Sequence, residues 1–93
     1  MTAKVRNMTG RTGKPVANQF IIATGDALIF QSYRTVIAKK EGFGESEKTY
    51  LDRNAWDYSA TTSKYRNQFL GESTEATREK IKTGEYILSD LNG

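Results

Sequence analysis

The first half of the chain alternates short apolar, β-branched runs with turn residues, a pattern typical of an antiparallel sheet. Two of the runs are separated only by Thr24-Gly25-Asp26, which indicates a hairpin. A loop at residues 41–45 separates two further runs. The pattern therefore predicts a meander of four strands, at 16–23, 27–33, 36–39 and 49–52.

The second half of the chain changes to a helical period. Tyr58, Thr62, Tyr65 and Phe69 are spaced four, three and four residues apart, which places them on one stripe of a helix. The helix runs from about residue 59 to 70, and the stripe faces the sheet.

A second helix is marked by its ends. Ser73 or Thr74 is suited to cap its start, while Lys80 and Lys82 precede Gly84 at its end, as the helix dipole favours. A last strand follows at residues 85–88. The predicted fold class is α+β, an antiparallel meander sheet with two helices on one face in the order β-β-β-β-α-α-β.

Composition narrows the chemistry more than the fold. The chain has 93 residues and neither cysteine nor histidine, so it lacks the thiolate and imidazole groups on which most catalytic and metal sites depend. We therefore expect no enzyme activity, no catalytic residue, no metal and no cofactor. No segment has the apolar length of a membrane span, which favours a cytoplasmic protein without membrane contact, acting in the host cell.

Positive charge is concentrated at the start of the chain. Lys4, Arg6, Arg11 and Lys14 precede residue 15 without any acid, so the remaining ten basic and 11 acidic residues leave residues 16–93 with a net charge of −1. Residues 1–15 are predicted to form a mobile basic arm, dispensable for folding, before one α+β domain at residues 16–93. DNA or RNA binding through the arm is possible but not favoured, because the body lacks a basic excess.

The start of the first helix is the candidate ligand site. Its backbone N–H groups and partial positive charge suit a phosphate, and aromatic side chains nearby are suited to stack on a base. Ser, Thr and Asp are equally the ordinary caps of helices, and Tyr is an ordinary half-buried residue, so a purely structural interpretation stays open. The candidate ligand-binding residues are Gln31, Tyr33, Arg34, Tyr58, Thr61, Thr62, Lys64 and Tyr65. Trp56 is predicted to be structural, pinning a strand to the helix.

Three motifs add a resemblance. They are Asn18-Gln19-Phe20, Phe30-Gln31-Ser32-Tyr33, and Trp56-Asp57-Tyr58-Ser59 followed by Thr61-Thr62 and Lys64. Together they resemble a family of small uncharacterised proteins encoded widely in bacteriophages and prophages. The resemblance runs from about residue 15 to the end of the sequence. It implies a phage accessory protein, and among such proteins it favours an anti-CBASS sponge that sequesters a cyclic nucleotide signal.

The sequence and the resemblance together predict a non-enzymatic, homo-oligomeric protein. It would bind a small anionic nucleotide, such as a cyclic dinucleotide, to evade host defence. The alternative is a protein-interaction inhibitor of a host defence enzyme, of the anti-CRISPR kind, or a DNA- or RNA-binding protein that uses the basic arm.

Overall fold

A computed structural model describes residues 3–42 and 44–93. It confirms the α+β class, with two helices inserted before the last strand of a six-stranded sheet. Residues 1 and 2 of the predicted arm, and Phe43 of the predicted loop, lie outside the described residues. The elements are β1 (Lys4–Thr9), β2 (Pro15–Ala23), β3 (Ala27–Ser32), β4 (Thr35–Glu41), a short 3-10 turn (Gly44–Ser46), β5 (Lys48–Asp52), α1 (Ala60–Leu70), α2 (Thr74–Thr83) and β6 (Tyr86–Ser89).

The first fifteen residues differ from the prediction. The structure forms β1 from the segment predicted as an arm and pairs it antiparallel with β2, from Lys4 opposite Ala23 to Thr9 opposite Pro15. Met8 of this strand is 5% exposed and belongs to the core. The premise that the segment carries no core residue is therefore wrong. The strand order is β-β-β-β-β-α-α-β, one strand more than predicted.

The strands lie in the sheet in chain order, from β1 at one edge to β6 at the other. Four neighbouring pairs are antiparallel, as the meander requires. The last pair, β5 with β6, is parallel. A parallel neighbour needs a long crossover connection, and α1 and α2 supply it.

The core lies between the helices and one face of the sheet. A continuous cross-strand row on this face joins Ile21, Phe30, Ala38 and Leu51, all of them buried. The ring of Phe69 on α1 stacks on Phe30 with ring centroids 5.8 Å apart. We call this the helix-covered face.

The C-terminal residues close the lower end of the sheet. The Asn92 side chain accepts a hydrogen bond from the Val36 backbone N–H at 2.7 Å and donates one to the Val36 carbonyl at 3.0 Å. It thus supplies the two bonds that a neighbouring strand would supply. The buried Asp52 carboxylate accepts a bond from the Leu91 backbone N–H at 2.9 Å, which holds the same segment.

Candidate functional site

The start of α1 is built by local capping, as its sequence predicts. Ser59 is the N-cap, with an extended backbone and a hydroxyl that accepts from the Thr62 backbone N–H at 3.1 Å. Ser63 donates its hydroxyl to the Asp57 carboxylate at 3.1 Å. Hydroxyls in the predicted motif therefore satisfy the protein's own helix start.

Arg66 is the centre of this region and is fully buried. Its guanidinium donates to the Trp56 carbonyl, to the Asp57 carboxylate at 3.4 Å and to Thr74 Oγ1 at 2.7 Å. It also lies 5.2 Å from the centre of the Trp56 ring. Burial lowers the pKa of Arg66, while the hydrogen bond from Asp57 opposes that change. One buried cation thus joins the loop before α1, α1 itself and the start of α2.

Ser32 and Thr62 bring the β3–β4 turn close to the start of α1. Their hydroxyl oxygens share a buried hydrogen bond at 3.0 Å. Tyr33 follows in the turn with a left-handed backbone, φ 57°, and its carbonyl accepts from the Gln31 side chain at 2.8 Å. The predicted residues of the two segments are therefore neighbours, although much of their polar chemistry is used internally.

The eight predicted site residues divide by exposure. Tyr65 packs against the core, Thr62 is buried, and Gln31 is partly buried in its bond to the Tyr33 carbonyl. The exposed members are Tyr33, Arg34, Tyr58, Thr61 and Lys64. The Lys64 ammonium lies 5.3 Å from the centre of the Tyr65 ring. None of the three cavities described below is lined by any of the eight.

A cleft of about 390 Å³ opens instead at the other end of α1. Its apolar wall comprises Met8, Ile21, Leu28 and Phe69, and two cations, Arg6 and Lys40, line it as well. The remaining lining residues are Asn7, Thr9 and Gln68. We call it the Arg6–Lys40 cleft.

The cleft is fixed by bonds between α1 and the sheet. Gln68 donates its side-chain N–H to the Thr9 carbonyl at 2.9 Å. Lys40 donates to the Phe69 carbonyl at 3.1 Å, and its ammonium lies 5.0 Å from the centre of the Phe69 ring. These bonds hold the end of α1 against β1 and β4, the strands that carry the two cations.

The two cations differ in what they already bind. Lys40 uses one of its three N–H donors on the last turn of α1. Arg6 is exposed, and its side chain forms no hydrogen bond or ion pair within residues 3–42 and 44–93. Arg6 is therefore the group in the cleft with the most unused capacity for an anion.

Lys40 also borders two further cavities, of about 370 and 280 Å³. The smaller one contains Glu72, whose carboxylate accepts from Thr77 at 2.6 Å and from Lys80 and Tyr86 at 2.7 Å each. Burial raises the pKa of Glu72, but these three bonds outweigh it and lower the pKa overall. This carboxylate is fully engaged by its own chain, so this cavity is less suited to hold an added anion.

Tyr86 and Lys80 respond to the same carboxylate. Burial, and then the hydrogen bond to Glu72, raise the pKa of Tyr86 to about 12. The hydrogen bond to Glu72 also raises the pKa of Lys80. The cluster links the α1–α2 connection to β6 and contributes to the packing of the helices on the sheet.

Sequence reasoning missed Arg6 and Lys40 for different reasons. Arg6 was assigned to the arm, since one buried side chain, Met8, gives too little apolar alternation to mark a strand. Lys40 lies in the predicted sheet, but its position over Phe69 depends on how α1 crosses the strands. Alternation along β4 was the available signal, because Lys40 shares the face of the buried Ala38.

Two general tests bound the chemistry. Within the described ranges, no group of three or more acidic side chains is placed to hold a metal ion. No helix among those same residues has the length and apolar character needed to cross a membrane.

Comparison with known proteins gives a family but no function. No curated protein and no solved structure matches the chain. Residues 3–85 match a family of unknown function, DUF8033. This match covers most of the chain, including β1, both helices and both ends of α1. The protein belongs to the DUF8033 family.

Proposed function

We propose that this protein is a non-enzymatic binding protein that captures a small anionic nucleotide in the Arg6–Lys40 cleft. The observation that carries the proposal is the unpaired Arg6 guanidinium at the rim of an apolar cleft whose wall holds a second cation, Lys40. An arginine with no acidic partner is suited to bind a phosphate through two parallel N–H bonds.

The shape of the cleft favours an amphipathic anion over a simple ion. Its volume of about 390 Å³ falls in the range of about 300–1,000 Å³ that small-molecule sites occupy. Leu28 and Ile21 offer an apolar surface for a base, while the cations lie where a phosphate would sit. A mononucleotide, or one half of a cyclic dinucleotide, matches this size and polarity.

The biological setting follows from the phage-like motifs. A small phage protein that binds a signalling nucleotide without transforming it would lower the concentration available to a host defence receptor. Such capture depends on affinity alone, which agrees with a chain that has no histidine or cysteine. We therefore propose sequestration of a host nucleotide signal as the role.

Calorimetric titration tests the proposal, with cyclic dinucleotides, mononucleotides and inorganic phosphate as probes. Arg6→Glu is expected to weaken nucleotide binding roughly tenfold or more, because a charge-assisted bond contributes about 1.5–3 kcal/mol. Arg11→Glu is the matched control. It makes the same charge change in the same β1–β2 hairpin, at an exposed residue outside the cleft.

Lys64→Glu places the ligand at one end of α1 or the other. We expect this variant to bind as the wild type does, since Lys64 lies at the start of the helix, away from the cleft. Loss of binding in Lys64→Glu but not in Arg6→Glu would move the site to the residues predicted from sequence. Absence of nucleotide binding by the wild type at micromolar concentration would refute the proposed function.

A further inference from the structure

The second face of the sheet carries an apolar row that crosses every strand. Successive register pairs join Val5 to Ile22, Ile22 to Ile29, Ile29 to Lys39, Lys39 to Tyr50 and Tyr50 to Ile87. Directly opposite residues in a sheet point to the same face. Five of the six members of this row are therefore apolar or aromatic side chains on one surface. We call it the open face.

No second layer covers this face within residues 3–42 and 44–93. Both helices pack on the opposite side, where Phe69 stacks on Phe30 and Glu72 accepts from Tyr86. Val5 is 62% exposed and Ile87 is 39% exposed, although both lie in strands. One-sided antiparallel sheets normally present polar side chains to water, so an apolar open face indicates a partner.

The area of the open face matches what a stable dimer requires. Six strands spaced by about 4.8 Å, with three side-chain rows along them, span roughly 600 Å² in projection. The relief of the side chains brings the accessible area near the roughly 800 Å² that each partner contributes to a standard interface. Phe20 and Val36 extend the apolar surface beyond the central row, in register with Gln31.

The charges on the face are balanced within the chain. Lys39 pairs with Glu41 at 3.1 Å, and its ammonium lies 5.2 Å from the centre of the Tyr50 ring. Lys48 is directly opposite Glu41 across β4 and β5. A surface with both signs adjacent can meet a copy of itself without leaving an unpaired charge, whereas a highly charged partner would find no opposing patch.

We propose that the open face binds a second copy of this chain, so that two sheets pack face to face about a two-fold axis. Sheets in such a sandwich lie about 10 Å apart, with the apolar rows of both copies forming a shared core. The Arg6–Lys40 cleft lies on the helix-covered face and stays open in the dimer. The dimer therefore does not depend on the proposed nucleotide binding.

Light scattering after size exclusion, and sedimentation velocity, test the proposal on the full chain at loads from about 1 to 100 µM. The wild type is expected at twice the 10.5 kDa of one chain. Ile29→Lys, at the middle of the row, is expected to raise the dimer dissociation constant roughly 100-fold, because like charges would meet in a desolvated interface. Tyr58→Lys is the control, since Tyr58 is 52% exposed but lies in the loop before α1.

Ile87→Lys covers the case in which the central variant fails to fold. Ile87 is already 39% exposed on the edge strand β6, so lysine there is expected to keep the circular dichroism spectrum and weaken the dimer. A wild type that stays at the mass of one chain throughout the range would overturn the proposal. A dimer that survives both Ile29→Lys and Ile87→Lys would also overturn it, because the interface would then lie elsewhere.

Discussion

The two ends of α1 use charged side chains in opposite ways. At the start, Arg66 is fully buried and its guanidinium donates to the backbone and side chains of three neighbouring segments. At the end, Arg6 is exposed and lies beside an apolar cleft with no acidic partner in residues 3–42 and 44–93. The first arginine has its donors engaged by the fold, and the second has them free.

The contrast teaches that a sequence rich in polar and aromatic residues does not by itself mark a binding site. The motif from Trp56 to Arg66 contains the residue types that bind nucleotides, yet Ser59, Ser63 and Asp57 are used to cap and brace the helix. The cleft is lined by residues that no motif unites. Free hydrogen-bonding capacity, more than residue type, distinguishes the two ends.

Removal of Arg66 is the largest expected effect. Arg66→Met keeps the length of the side chain but leaves Asp57 and Thr74 without their buried donor, at a cost of about 3–5 kcal/mol in the free energy of unfolding. Urea denaturation followed by circular dichroism measures the loss.

Arg78→Met is the matched control for Arg66→Met. Arg78 binds the same Asp57 carboxylate at 3.3 Å, but its side chain is 49% exposed, so its loss is expected to cost less than about 1 kcal/mol. Equal losses in the two variants would show that burial does not separate these arginines, and the contrast between the ends of α1 would fail.

Thr62→Val has an intermediate expected effect. Valine fills the same space but leaves the buried Ser32 hydroxyl without its partner, which costs about 1–3 kcal/mol. Thr61→Val, at the exposed neighbouring position, is expected to change the free energy of unfolding by no more than about 0.5 kcal/mol. Thermal unfolding of the pair measures the difference. A neutral Thr62→Val would return this hydroxyl to the list of candidate ligand contacts.

The Glu72 cluster sharpens the comparison through pH, with the smallest effect. Because the folded state lowers the pKa of Glu72, its contribution is present above the ordinary value of 4.5 and is lost as pH falls through the lower folded value. Glu72→Gln is expected to remove about 1 kcal/mol of this acid-dependent stability. Urea midpoints between neutral pH and the acid limb measure it.

Glu79→Gln serves as the control for the pH series. The Glu79 side chain is 70% exposed, so its removal is expected to leave the acid limb unchanged. An acid limb of the same steepness in Glu72→Gln and the wild type would show that other carboxylates set the pH dependence.

The sequence predicted the elements whose signals are local. Strands within residues 16–52 carry continuous apolar runs, and both helices end in glycines with left-handed backbones, Gly71 at φ 73° and Gly84 at φ 84°. β1 was missed because an edge strand is stabilised by its ladder with β2, which composition does not reveal. The parallel orientation of β6 depends on the crossover of two helices and has no local signal.

The candidate site was predictable only in part. Capping by Ser59 and the structural position of Trp56 against the core follow from local patterns. Arg66 could not be assigned in this way, because its burial depends on three segments that meet only in the fold. The cleft needs β1, β4 and the end of α1 together, so no single stretch of sequence contains it.

The place of β6 in the chain bears on folding during translation. Strands β1 to β5 pair with their chain neighbours, so their hairpins can form as each strand leaves the ribosome. The edge of β5 is covered only after residues 53–85 have followed, and the Asn92 bonds to Val36 span 56 positions. Until residues 86–92 emerge, the nascent chain presents an unpaired strand edge beside an incomplete core. Chains on neighbouring ribosomes are most vulnerable to misassociation in that interval.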